Sequence, residues 1–219
     1  MNKEIDLLDS LPKKARNIRG RKLTKSDLVV EEARKYGEKY FDGPREFGYG
    51  GYRYDGRWRT VARDIIRQYS LMPGNRVLDI GCAKGFLVKD LMLECPGLEA
   101  FGIDVSEYAL KNCEPEVIGR LQIGNAVRPP FPDDSFDLVV SINTLHNLNR
   151  QELLIALREI QRITKQESYI VVDSFRTPQQ KEIFQDWVLT AKFYDYPAGW
   201  KKVFQEAGYL GDYSWTIIE

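Results

Sequence analysis

The chain reads as an α/β protein of Rossmann-like type: a doubly wound, mostly parallel sheet preceded by a helical and aromatic lid. Three observations predict this. Short apolar runs recur near residues 76–80, 99–103, 120–124, 137–142 and 168–173, as in strands buried on both faces. Segments with helical spacing lie near 84–94, 106–113 and 150–164, and strands alternating with helices make a parallel sheet. The first run ends at Gly81, and Gly85 stands in the opening of the first of these helices. That turn therefore aims backbone N–H groups at the carboxyl edge of the sheet, where a polar ligand binds.

The elements follow in order. Residues 13–25 carry Lys13, Lys14, Arg16, Arg19, Arg21, Lys22 and Lys25 and no acid, which reads as a solvated, partly disordered arm. The same stretch could guide an anionic substrate or nucleic acid. No RNA-binding module is visible, so nucleic acid is not an expected partner. Thr24, Ser26 or Asp27 caps a helix to about Lys39. Eight aromatic residues then lie between Tyr36 and Trp58, interleaved with six glycines and with Arg45, Arg53 and Arg57. Glycine at that density forbids a long helix, so loops present these rings. A helix near 57–71 stops before Pro73-Gly74. The connection 125–136 holds Pro129, Pro130 and Pro132 and is a loop. Pro178 opens a helix to about Thr190, and another spans about 198–207, ending before Gly208. Either Gly211-Asp212 turns a very short hairpin in the remaining residues, or one strand is missing there.

At 219 residues, 43% hydrophobic and 29% charged, the chain has room for one well-cored domain and an appendage. The expected division is 1–72, a basic arm, helices and lid, and 73–219, the sheet domain. No apolar run reaches the roughly 20 residues that span a bilayer, and the charged first residues lack a signal-peptide core, so no membrane association is expected. Three cysteines, Cys82, Cys95 and Cys113, and one histidine, His146, offer no metal-ligand pairing. A reducing cytoplasm is the simplest location.

Residues 76–86 read Arg-Val-Leu-Asp-Ile-Gly-Cys-Ala-Lys-Gly-Phe. A dinucleotide turn would need glycines where Ala83 and Phe86 stand, and no Gly-Lys-Ser/Thr follows for a phosphate loop. Asp79 places a carboxylate at the strand end. A second strand ends at Asp104, 25 residues later, where a carboxylate accepts hydrogen bonds from the two hydroxyls of a ribose. Leu121-Gln-Ile-Gly-Asn125-Ala126 and Phe131 through Asn143 complete the series. Each segment alone has a plain structural explanation.

Together and in this order, the four segments resemble the class I S-adenosylmethionine-dependent methyltransferases. The resemblance implies S-adenosyl-L-methionine as cofactor. Its methionine part would lie on the turn of Asp79, Gly81, Cys82, Ala83 and Gly85, and its ribose on Asp104. Val105 would face the adenine, Asn125 and Ala126 its edge, and Asn143 would close the fourth segment's contribution. Members of the family commonly finish with a two-stranded, partly antiparallel ending, for which only about eleven residues remain here. The segment before the first strand would lie over the mouth, with Tyr49, Tyr52, Arg57 and Trp58 contacting sulfonium or acceptor. Tyr194 and Tyr196, with Trp200, would line the acceptor pocket or else pack as core. His146 is a candidate general base because imidazole titrates near neutrality, and Asp173 at the fifth strand's end is the second.

The implied activity is methyl transfer to an oxygen or nitrogen of a small metabolite: a sugar, nucleotide-sugar or amino-acid-like molecule. The implied partners are this small acceptor and a second copy of the chain. Two alternatives stay open. One is another cofactor-consuming chemistry, a cyclase or lyase releasing methylthioadenosine; the other is a non-catalytic cofactor-binding partner protein.

Overall fold

The protein was analysed as a computed structural model, which describes residues 3–12 and 16–218. Lys13 and Lys14 of the basic arm lie outside the described residues. One sheet is built from β1 (Arg76–Ile80), β2 (Glu99–Asp104), β3 (Leu121–Ile123), β4 (Phe136–Ile142), β5 (Thr164–Ser174) and β6 (Asp212–Ile217). Its strand order is β3-β2-β1-β4-β5-β6, and every neighbouring pair is parallel. The order reverses between β1 and β4, which opens a crevice beyond their carboxyl ends.

Side chains alternate across the sheet with the strand period of two. Leu78, Ile80, Val139, Ile170 and Val172 join one core cluster with Leu153, Leu157 and Ile160 of α7 (Arg150–Ile163) and Trp200, Val203 and Phe204 of α9 (Pro197–Ala207). Val77, Leu138, Val140, Tyr169 and Val171 join the opposite cluster. There they meet Val61, Ala62 and Ile65 of α4 (Trp58–Gln68) and Leu87, Val88 and Leu91 of α5 (Phe86–Glu94). α7 begins with a capping box, in which Asn149 and Glu152 each accept from the other's backbone N–H.

Three expectations need correction. The chain ends in a single strand parallel to β5, so no hairpin forms at Gly211-Asp212. The outer edge of β6 is instead met by the N-terminal segment: Ile5 N–H donates to Tyr213 O (2.9 Å), and Tyr213 N–H donates to Lys3 O (3.0 Å). An edge strand with unpaired backbone groups gains cover in this way. The described part of the basic arm is not loose. Asn17 caps α1 (Ile18–Thr24), and the Arg21 guanidinium is buried against the carbonyls of Glu46 and Gly48. Finally, the helix expected to reach Lys39 is two helices. Ser26 caps α2 (Asp27–Ala33), the chain reverses where Tyr36 takes φ +50°, and α3 (Glu38–Phe41) starts after Gly37. A left-handed residue cannot continue an α-helix.

No helix among the described residues is long and apolar enough to cross a membrane. The described residues hold no group of three or more metal-ligating side chains.

Candidate active site

The turn after β1 is fixed by close backbone contact. Gly81 sits at φ +85°, and a Cβ added there would lie 2.1 Å from Thr144 Oγ1, so only glycine fits. Gly81 and Cys82 N–H both donate to Ile103 O of β2, at 2.8 and 3.1 Å. Gly85, at φ +76°, is the N-cap of α5.

Two carboxylates occupy neighbouring strand tips at this turn. Asp104 accepts from Ala83 N–H through Oδ2 and from Ser106 N–H through Oδ1, both at 2.8 Å. Each oxygen has a second lone pair to offer. Burial raises the Asp104 pKa, and the N–H donors of Ser106, Ala83 and Val105 oppose the rise. Asp79 is 5% exposed and accepts no hydrogen bond from the described residues. Burial first, and then the nearby charge of Asp104, push its pKa up to about 7. A buried carboxylate left without a donor is costly; it fits a ligand that brings a cationic group. Cys82 is no nucleophile, because burial and then Asp79 hold its thiol well above the usual range.

The aromatic segment covers these groups. Tyr52 stacks on Phe86 at the start of α5, with centroids 4.6 Å apart, and packs against Tyr49 at 4.4 Å. Phe41 stacks with Tyr49 and with Tyr108 of α6 (Glu107–Lys111). Burial raises the Tyr52 phenol first; then Tyr49, Asp79, Cys82 and Asp104 add to the rise. Burial likewise raises Tyr36, Tyr40 and Tyr49. These phenols therefore stay neutral and act as hydroxyl groups, not as bases. Lys84, buried within the glycine turn, ties the lid down: its Nζ is 2.6 Å from Asp42 Oδ2, which also accepts from Tyr108 OH at 2.8 Å. Burial raises Asp42, but these two hydrogen bonds, a third from Tyr52 N–H and the charge of Lys84 together outweigh it and leave the carboxyl below its ordinary range.

His146 and Asp173 form one unit at the ends of β4 and β5. Asp173 N–H donates to His146 Nδ1 at 3.2 Å, and His146 Nε2 lies 3.4 Å from Asp173 Oδ2. Nδ1 is thus an acceptor, which assigns the ring proton to Nε2, facing the carboxylate. Neither ring nitrogen keeps a lone pair for an outside proton. The imidazole is 4% exposed, and its backbone O accepts from Lys192 and Phe193 N–H. Burial raises Asp173, with His146 and Arg16 pulling it back.

The other predicted residues fall into three places. Val105 and Ile123 stand half-exposed at the tips of β2 and β3, with Asn125 beside them. Asn125 Oδ1 accepts from Val127 N–H (3.0 Å), which leaves its amide NH2 outward, and Ala126 is buried in the core. Asn143, at φ +53°, accepts from Thr216 Oγ1 through Oδ1. Away from this edge, Arg57 pairs with Asp55, and Trp58 packs against the α4–α5 core cluster rather than among the lid rings. Tyr194 and Tyr196 pack around Phe175 and Phe184 of α8 (Pro178–Trp187) and the preceding strand end. Trp200 is fully buried, its Nε1–H on Asp173 O at 3.1 Å. Sequence reasoning missed the Lys84–Asp42–Tyr108 tie, although a lysine inside the glycine turn was its visible trace.

This geometry agrees with comparison to known proteins. Residues 78–172 match the family described as "Methyltransferase domain". The chain carries a class I S-adenosylmethionine-dependent methyltransferase domain. The methyltransferase domain is similar to "Demethylmenaquinone methyltransferase" of Geobacillus kaustophilus, 33% identical over 116 residues, covering 50% of this chain and 47% of that protein. It is similar also to "Arginine-hydroxylase NDUFAF5, mitochondrial" of Rattus norvegicus, 34% identical over 129 residues, 58% of this chain and 35% of that one. The chain thus spans half or less of the length of these curated relatives. Among solved structures, a SAM-dependent methyltransferase of Archaeoglobus fulgidus is 27% identical with a TM-score of 0.53, covering 68% of each chain. The cofactor of the family is S-adenosyl-L-methionine, and the residues present fit it. Asp79 lacks a donor, Asp104 has lone pairs to spare, and Val105 and Ile123 offer half-exposed apolar surface at the adjoining strand tips.

Proposed function

We propose that the chain methylates an oxygen or nitrogen of a small acceptor. The observation that carries this is the pair Asp79 and Asp104 on adjacent strand tips, roofed by the Tyr49–Tyr52–Phe86 stack. Asp104 would hold the ribose hydroxyls, Asp79 the amino group, and Val105 and Ile123 the adenine. When bound, the cofactor supplies a methyl group already activated by its positive sulfur. The residues supply position, which is the larger part of such a transfer. The aromatic roof excludes water, and its rings attract a cation.

On the acceptor side, Asp173 takes the proton that a hydroxyl or ammonium nucleophile must lose. His146 acts through it, as a positioning residue that holds the carboxylate. The acceptor classes favoured are sugar, nucleotide-sugar or amino-acid-like molecules. A resemblance to a protein named as a hydroxylase keeps the reaction itself worth testing. The assay is mass spectrometry of reactions with and without acceptor pools. Acceptor-dependent S-adenosylhomocysteine is expected; methylthioadenosine formed without any acceptor would overturn the reading.

A further inference from the structure

Three arginines surround one indole beside the mouth. The guanidinium carbons of Arg16, Arg21 and Arg45 lie 5.9, 4.9 and 5.1 Å from the Trp187 ring centroid. None of the three forms an ion pair with a carboxylate among the described residues. Arg21 is 7% exposed and spends Nη1 and Nη2 on the neutral carbonyls of Glu46 and Gly48. Arg45 spends only Nη1, on Gly48 and Tyr49 carbonyls, which leaves Nε and Nη2 unused. Arg16 is exposed and makes no hydrogen bond to the described residues. Burial first, and then the neighbouring guanidinium, pulls Arg21 and Arg45 below their ordinary range. The three charges therefore repel across one ring, and a π face attracts cations without neutralising them.

The cluster borders the acceptor side of the site. Arg45 holds the backbone of Tyr49 in the roof, and Trp187 belongs to the apolar cluster of Phe175, Tyr194 and Tyr196 just past the β5 end that carries Asp173. Free guanidinium forks match the planar or tetrahedral oxygens of carboxylates and phosphates. We infer that the acceptor carries an anionic group, a phosphate or a carboxylate, gripped by Arg16 and Arg45 over Trp187, while Arg21 braces the loop beneath. The word "acceptor" rests on the methyltransferase reading; the anion site does not.

The test is calorimetric titration of the full chain with inorganic phosphate and with succinate, at constant ionic strength set by chloride. Saturable millimolar binding of at least one of them is expected, and which binds tighter separates phosphate from carboxylate. In the double variant Arg16→Gln/Arg45→Gln this affinity falls at least tenfold, and in Arg16→Gln alone S-adenosylmethionine affinity stays within twofold. Arg16→Gln alone, at an exposed side chain, carries the same expectation at several-fold should the double variant fail to fold. No saturable binding of either anion, or undiminished binding in the variants, overturns the proposal. Failure of the wild type to bind S-adenosylmethionine sinks the methyltransferase reading instead, and leaves the anion titration standing.

Discussion

Replacing Asp79 by Asn separates what this carboxylate costs the empty protein from what it gives the cofactor. Its folded pKa is about 7 against an ordinary 3.8, a difference of about 3 units. At 1.36 kcal/mol per unit, ionising it in the fold costs about 4 kcal/mol. The sign follows from linkage: between those two values the folded state binds more protons than the unfolded state, so stability falls as pH rises from about 4 to about 7. Above pH 7 the whole cost is present. Asn keeps the shape and removes the charge. Urea unfolding of the cofactor-free wild type should therefore lose stability between pH 5 and pH 8 relative to Asp79→Asn, by about 3 kcal/mol, the rest of the cost falling below pH 5. Added S-adenosylmethionine should stabilise the wild type more at pH 7.5 than at pH 6, and the variant less at both. Parallel stability-versus-pH curves for the two proteins would refute the argument, because the buried charge would then not be the source of the slope.

Other predictions are briefer. Asp104→Ala should lower cofactor affinity by tenfold or more in calorimetry while circular dichroism stays native, since two charge-assisted hydrogen bonds are at stake; unchanged affinity would misplace the ribose. Gly81→Ala should cost about 3 kcal/mol, combining left-handed strain with the overlap at Thr144, and Thr144→Ala should recover only the overlap part in denaturant melts. Lys84→Met should destabilise by about 2 kcal/mol and speed amide exchange in residues 42–52 ahead of the sheet; exchange confined to α5 would argue against a lid tie. His146→Gln should move the acid limb of the kcat profile to higher pH, because the imidazole pulls the raised Asp173 downward. A loss of activity with no such movement would return the histidine to the role of base.

Much of the sheet was legible because a strand buried on both faces leaves an apolar run with polar or glycine ends. Residues 76–80 and 99–104 show it, with Asp79 next to last in the first and Asp104 last in the second. Helix starts were legible where a local signal marks them: Ser26 is one of three candidate caps, and Pro178 opens the helix that Thr177 caps. The break at Tyr36 was not, because tyrosine carries no left-handed signal; its conformation is held by packing on Tyr40 and by Ser106 Oγ, which donates to Tyr36 O. The arm misled for a related reason. Seven like charges argue for solvation, and only the carbonyls of Glu46 and Gly48 and the face of Trp187, distant in sequence, give Arg16 and Arg21 a place.

The sequence by itself determined the α/β alternation, the glycine turn and the two strand-tip carboxylates, since each is written in local spacing. Only the tertiary structure decided that the last strand runs parallel, that residues 3–5 cover its edge, and that both nitrogens of His146 face Asp173. Those outcomes depend on which groups meet across long stretches of chain, where burial makes every hydrogen-bonding partner count and no local pattern records the partner's identity.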